Sequence, residues 1–271
     1  MNEDSALLAL HLVPNLGPVR IRRLLTAFGS AKDAVEAAPS DMRRIHGFSA
    51  NLLESLRTVL QEDVAERELQ LLTEAGGWLL TQSDPRYPKA LLQLQNAPVL
   101  LEGLGTLSEA DRHAIAVVGS RHCTYYGQEC AKRFGYRLAD AGLCVVSGMA
   151  RGIDTSAHQG ALAAHGRTLA VIGSGLGHLY PKENEGLARR IARQGAVLSE
   201  FPFLSPPNPQ TFPYRNRIVA GWCTNLLVVE AGEKSGALIT AHLAIDQGRQ
   251  VYAIPGPIDR ETSLGTNRLI Q

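Results

Sequence analysis

Two periodicities divide the chain. Through residue 75 apolar residues recur three and four apart, in stretches broken by Gly or Pro: "SALLALHLV", "GPVRIRRLLTAFG", "AKDAVEAA", "SDMRRIHGF" and "SANLLESLRTVLQEDVAERELQLLTEAG". That spacing places apolar side chains on one face of short helices and predicts a small all-α domain over residues 1–75. From Trp78 the pattern changes. "WLLTQ" and "PVLLEGLG" read as strands, and six short β-type runs then alternate with amphipathic stretches: "AIAVVGS" (114–120), "CVVSG" (144–148), "TLAVIG" (168–173), "AVLSE" (196–200), "NLLVVEA" (225–231) and "QVYAIPG" (250–256). Apolar strands joined by helical crossovers predict a mostly parallel sheet covered on both faces. Residues 76–271 are therefore expected to form an α/β, Rossmann-like, doubly wound domain. The stretch 201–214, "FPFLSPPNPQTFPY", holds too much proline for a helix and is expected to be a long ordered loop over the sheet edge.

Composition narrows the field of partners. With 45% hydrophobic and 20% charged residues over 271 positions the chain is an ordinary globular one. Its net charge of +1 sets up no global field for a polyanion, so any basic site has to arise by local clustering. "MNEDSALLAL" carries acids where a secretory leader needs a basic start, and no apolar run approaches the ~18 residues of a membrane span, so a cytoplasmic location is expected. Cys123, Cys130, Cys144 and Cys223 show no C-x-x-C spacing and fall on or near core elements; reduced, packed thiols are expected, and no metal.

Candidate chemistry gathers at the strand ends. In a doubly wound sheet ligands bind where strands stop and helices start, because helix N-termini present unpaired N–H groups there. The ends read "GSR" (119–121), "SGMARGID" (147–154), "GSG" (173–175), "SE" (199–200), "EAGEKSGA" (230–237) and "IPGP" (254–257). Glycine admits close backbone approach to an anion, and serine adds a hydroxyl donor. Arg121, Arg151, Lys182, Arg215, Arg217 and Lys234 fall in or beside the same loops, so a phosphate site is predicted, with "SGMARGID" as a cradle. Plainer roles stand beside this one. Asp154 suits a helix cap, and Asp154 with His158 at i, i+4 suits an ion pair or hydrogen bond better than catalysis. Glu200 and Glu230 suit clamps on guanidinium groups better than paired catalytic carboxylates. Phe201, Phe203, Phe212, Tyr214, Tyr125 and Tyr126 flank the rim and leave two readings open, core plugs or exposed rings for unpaired bases. NAD or FAD binding is not expected: "VVGSRHCTYYG" replaces G-x-G-x-x-G, and "GSGLGH" has the wrong spacing.

The helical part adds a second candidate. "LVPNLGPVRIRRLLTAFGS" (12–30) has the form helix, tight hairpin, helix, with Arg20, Arg22 and Arg23 opening the second helix, and "MRRIHGFSANLLESL" (42–56) repeats it more weakly. Such hairpins set N–H groups and basic side chains against nucleic-acid phosphates without reading sequence. The other reading is a helical interaction module in which the hairpin only packs. The arginines tilt the choice toward DNA contact.

The ordered set "VVGSR", "VVSGMARGIDTSAHQGAL", "TLAVIGSGLGHLYPKEN", "LSEFPF", "FPYRNRIVAG", "VVEAGEKSGALITAHLAIDQGRQVYAIPG" and "GTNRLIQ" resembles the DNA processing protein A family, DprA or Smf, over essentially residues 78–271. The helical N-terminus is similar to the family's sterile-alpha-motif-like or helix-hairpin-helix extension. The resemblance implies a cytoplasmic bacterial protein of natural transformation that binds and protects incoming single-stranded DNA and loads the RecA recombinase on it. It further implies a homodimer without cofactor and without an established enzymatic activity. Many members carry a C-terminal winged helix; the sequence stops at "NRLIQ", where a helix begins, so that module is expected to be absent or truncated. Carried over by matching motif, the DNA site comprises Gly119, Ser120, Arg121, Gly148, Arg151, Gly152, Gly173, Ser174, Lys182, Phe212, Arg215, Asn216, Arg217, Ser235 and Gly236. The alternative is an enzyme of the related phosphoribohydrolase, lysine-decarboxylase-like, group. Its P-G-G-x-G-T-x-x-E signature is met here by "EAGEKSGALITAH", which lacks both the glycine pair and the trailing Glu.

Overall fold

The computed structural model describes residues 1–271, which form two compact units: Met1–Tyr87 with Gln95–Glu102, and Pro88–Leu94 with Gly103–Gln271. The boundary expected after residue 75 thus falls inside the first unit, which takes in a strand and the stretch 95–102 as well as the helices.

The first unit holds α1 (Glu3–Leu12), α2 (Pro18–Phe28), α3 (Ala31–Glu36), α4 (Pro39–Met42), α5 (Ala50–Gln61), α6 (Val64–Glu74) and β1 (Gly77–Thr81). Local chemistry sets the helix starts. Asn2, Ser30 and Ser49 accept the backbone N–H three residues on, and Pro18 opens α2 where its missing N–H costs nothing. Glu3 accepts the amides of Ala31 and Lys32 at 2.6 and 3.0 Å, fastening the start of α1 to the start of α3. The apolar stripes meet in a core that includes Leu8, Leu10, Ile21, Leu24 and Leu56. In the hairpin, Arg20 donates to the Asn15 carbonyl (2.7 Å), Arg23 to that of His46 (3.1 Å) and Arg22 to that of Ala97 (3.3 Å). All three arginines therefore brace loops of their own unit, which favours the packing reading of the hairpin over the phosphate-facing one.

The chain passes from the first unit to the second within β2 (Leu100–Gly105); the second unit holds α7 (Lys89–Leu92) and continues through β3 (Ala114–Val118), α8 (Tyr125–Asp140), β4 (Cys144–Ser147), α9 (Ile153–Ala163), β5 (Thr168–Ile172), α10 (Glu185–Gln194), β6 (Ala196–Ser199), α11 (Thr211–Trp222), β7 (Asn225–Val228), α12 (Gly236–Asp246), β8 (Gln250–Ala253) and α13 (Leu264–Ile270). The six strands read from the alternating runs all form, lie parallel, and run in the order β6-β5-β4-β3-β7-β8. The chain steps outward from β3 to β6, then returns to lay β7 on the other side of β3. The order reverses there, so the crevice that a doubly wound sheet offers to ligands opens beyond the ends of β3 and β7.

Residues 201–214 correct the expectation of a loop throughout. Thr211–Tyr214 already belong to α11, because Pro213 lies in the first turn, where no intrahelical N–H bond is lost. The preceding segment is an ordered loop whose Phe203 and Ser205 carbonyls accept the amides of Gly177 and Gly175 at 2.8 and 2.9 Å. On the opposite side of the unit α8 and α9 approach so closely that a Cβ on Gly135 or Gly160 would overlap the carbonyl of Ala157 or Lys132. That contact turns the remaining face of α8 outward.

Candidate nucleic-acid interface

A cleft of about 820 Å³ occupies the reversal point, lined by residues 119–122 after β3, Gly148 and Ala150 after β4, Arg215 and Asn216 of α11, and residues 232–237 with Thr240 at the start of α12. Its loops use their polar groups in two different ways.

After β4 the expected phosphate cradle is already filled. Asp154 is buried, and its carboxylate accepts the Ala150 amide at 3.2 Å and that of Gly148. The Ile153 amide donates to the Ser120 carbonyl (3.2 Å) and the Thr155 amide to that of Ala150 (3.1 Å). Asp154 thus reaches back into the loop from the second position of α9, instead of capping the helix; the cap residue is Gly152, at φ 74° and ψ −120°. Burial raises the Asp154 pKa, and the nearby Arg215 guanidinium works against that rise. Arg215, 3% exposed, donates to the Val171 carbonyl and lies against Gly148, where a Cβ would overlap the guanidinium. Burial pulls its pKa down to about 10; Asp154 attracts its charge and Arg121 repels it. The anion of this loop is the protein's own carboxylate.

After β3 and β7 the groups stay open. Arg121 is exposed, Ser120 is half-exposed, and the Ser120 amide donates to the Glu230 carbonyl at 2.7 Å, which fixes the turn. At α12, Ser235 caps the helix through the Ala237 amide (3.3 Å), Gly236 faces empty space and Lys234 is exposed. Glu233 turns away to Arg268 at 2.7 Å, so it does not neutralise Lys234.

Beside the cleft runs a row of alternating cations and rings. Arg121 lies 5.2 Å over Phe212, Phe212 stands 5.5 Å from Tyr180, and Arg151 lies 5.7 Å over Tyr180. Arg151 also donates to Glu183 at 2.5 Å, an exposed pair that lowers the Glu183 pKa and raises that of Arg151. Guanidinium groups over ring faces suit phosphates and unpaired bases along one line.

The structure sorts the expected residues. It brings Gly119, Ser120, Arg121, Gly148, Arg215, Asn216, Ser235 and Gly236 to the cleft, and Arg151 and Phe212 to the adjoining row. Gly152 shapes the turn from within. Three positions are corrected. Arg217 is interior: it donates to Glu200 at 2.6 and 2.7 Å and lies 4.1 Å over Tyr214, so it braces α11 and does not face a ligand. Gly173 is covered by Phe212 and Ser174 is buried, whereas Lys182 is exposed, between Pro181 and the Glu183 that pairs with Arg151 of the row. Glu200 is the guanidinium clamp the sequence suggests; Glu230 is not. Glu230 accepts the amide and hydroxyl of Thr124 at 2.9 and 2.6 Å and secures the start of α8.

His158 pairs with Thr168 at 2.7 Å, not with Asp154. Since the Thr168 hydroxyl donates to the Val145 carbonyl (2.6 Å), His158 must donate from Nδ1. Burial and Arg215 hold its pKa down at about 3, so the ring is neutral. Among the aromatic residues, Phe201 and Tyr214 pair at 6.4 Å beside the Arg217 clamp, whereas Tyr125 and Tyr126 are exposed. Tyr180, Thr240, Glu261 and Thr262 border the site without having been marked by the sequence. Tyr180 and Thr240 fall inside the quoted motifs "TLAVIGSGLGHLYPKEN" and "VVEAGEKSGALITAHLAIDQGRQVYAIPG", whereas Glu261 and Thr262 have no signal. No helix is long and apolar enough to cross a membrane, and the four cysteines are free thiols.

Known proteins share both the sequence and the fold of this chain. The model of the DNA recombination-mediator protein A family matches residues 78–271. The chain is 35% identical to Protein Smf of Synechocystis sp. over 273 residues, 99% of this chain and 69% of that one. It spans 55% to 69% of the length of the first curated relatives it matches. In three dimensions it is similar to DNA processing protein A from Streptococcus pneumoniae (TM-score 0.85, 36% identity, 100% of this chain and 92% of that one). It is also similar to DNA processing protein A from Helicobacter pylori, described for its single-stranded DNA binding mode (TM-score 0.65, 28% identity, 72% and 86%).

Proposed function

The chain belongs to the DNA recombination-mediator protein A family, and on that premise we propose that the open side of its rim holds a single DNA strand. The observation that carries this reading is the row Arg121, Phe212, Tyr180, Arg151 beside the cleft. Arg121 and Lys234 meet phosphates from the surface, while Arg215, balanced by Asp154, forms part of the cleft floor. Phe212 and Tyr180 offer ring faces to bases that a duplex would keep stacked. Guanidinium and backbone contacts to phosphate fix position without reading sequence, so binding is sequence-tolerant and weakens with salt.

The wider role follows the family. We propose a cytoplasmic protein that protects incoming DNA during natural transformation and loads RecA on it, working by binding alone, without cofactor or catalysis. The engagement of Asp154 and His158 inside the fold supports the non-catalytic reading. A homodimer is supported by the edge strand β8, where Tyr252 is 56% exposed and the nearby Ile258 89%.

The test is fluorescence anisotropy of a labelled oligothymidine and its duplex counterpart at two salt concentrations, with a nucleoside monophosphate as competitor. Single-strand preference that falls with salt and ignores the competitor is the expected result. Displacement by the mononucleotide would favour the enzyme alternative, for which the cleft has the volume of a small-ligand pocket.

A further inference from the structure

The two tyrosines that open α8 are left outside the rim's row of cations and rings. Tyr125 is 78% exposed and Tyr126 55%. Neither enters the ring pairs that occupy Phe201, Tyr214, Phe212 and Tyr180. Two large adjacent rings in water are a cost the fold itself does not need, since α8 buries its glycine and alanine face against its neighbours.

Their position is fixed from below. Thr124 caps α8 by accepting the Gly127 amide at 3.1 Å and is itself held by the buried Glu230. Cys130, one turn on, lies beside Tyr126 and raises the pKa of its hydroxyl. Only His122, Cys123 and Thr124 separate Tyr125 from Arg121 of the rim.

We propose that Tyr125 and Tyr126 form a stacking platform for unpaired bases of a strand that leaves the rim at Arg121. This rests on the reading of the rim as a single-strand site and extends it by a second subsite. Charge favours a nucleic acid over a protein partner. At 100° per residue, Arg133 and Arg137 fall on the same face as Tyr126, seven and eleven positions on, and Lys132 falls on that of Tyr125, seven positions on. Glu129 lies between them and Asp140 ends the stripe, leaving a cationic excess on the exposed charges of α8 beyond the rings. The face from Tyr126 to Arg137 runs ~16 Å along the helix, enough for a strand to continue past the rim. Rings with cations interleaved are the chemistry of sequence-tolerant single-strand binding.

The test compares a short oligothymidine of about 6 nucleotides, which covers the rim alone, with one of about 20. The proteins are wild type, the double variant Tyr125→Ala with Tyr126→Ala, and the double variant Tyr125→Phe with Tyr126→Phe. The alanine variant is expected to bind the long strand roughly tenfold more weakly and the short strand as wild type does, while the phenylalanine variant matches wild type on both. Wild-type affinity of the alanine variant for the long strand, or an equal loss on both lengths, would overturn the platform and leave the rim standing. Failure of wild type to bind either strand would remove the rim reading and the platform with it.

Discussion

Residues 147–154 and residues 119–121 both follow a central strand, and both combine glycine, serine and arginine, yet they treat an anion in opposite ways. In the first, Asp154 turns back into the loop, takes the Ala150 amide and balances the buried Arg215. In the second no acid turns back, and Arg121 and Ser120 stay open to the cleft. A glycine-rich strand end is therefore a seat for negative charge, and whether a ligand can use it depends on the acids within reach. The α12 start confirms the rule by a third route: Glu233 is within reach but is drawn off by Arg268, which leaves Lys234 unneutralised.

Substitutions that separate a structural arm from a binding arm sharpen this contrast. The largest effect is expected from Gly152→Ala, because φ 74° with ψ −120° is glycine territory and the Ser120 carbonyl occupies the place of a Cβ. Urea denaturation should show a loss of about 3 kcal/mol or more. Asp154→Asn comes next, at about 2 kcal/mol, since it removes the charge that faces Arg215. The same variant should bind oligothymidine at least as tightly as wild type, and weaker binding would mean that the filled loop also serves the ligand.

His158 adds a pH dependence that accumulates across a range of pH. His158 is neutral when folded, with a pKa near 3, but takes up a proton near 6.5 when unfolded. Between those values the unfolded chain binds more protons, so stability falls as pH drops from 6.5 toward 3, by up to ~1.4 kcal/mol per pH unit. His158→Asn should flatten that slope in urea midpoints taken across the window. The smallest effect belongs to Gly236→Ala on the open arm. A Cβ there meets empty space and the site is a helix start, so thermal unfolding should show no loss or a gain of under ~1 kcal/mol.

Much of the sheet unit was legible because strand and crossover periods depend on nearest neighbours in sequence. All six runs from 114 to 256 became parallel strands, and the reversal point follows from their order. The site was legible only as a set of loops. Which guanidinium faces outward depends on partners far along the chain: Arg215 and Arg217 are two residues apart, and both are buried by acids from other elements, Asp154 and Glu200. The same holds for Tyr180 and Phe212, 32 positions apart in sequence and 5.5 Å apart in space. In the helical unit the three arginines of the hairpin looked free in sequence and are engaged by carbonyls that no local pattern announces.

The most direct test of the open arm is the salt dependence of oligothymidine binding for wild type and Arg121→Ala, with unfolding midpoints taken in parallel. Arg121→Ala is expected to bind roughly tenfold more weakly, with a slope of log affinity against log salt shallower by about 0.7, the contribution of one phosphate contact to a single strand. The unfolding midpoint should not move. Unchanged affinity and slope in Arg121→Ala would contradict the assignment of the open arm as the strand's seat.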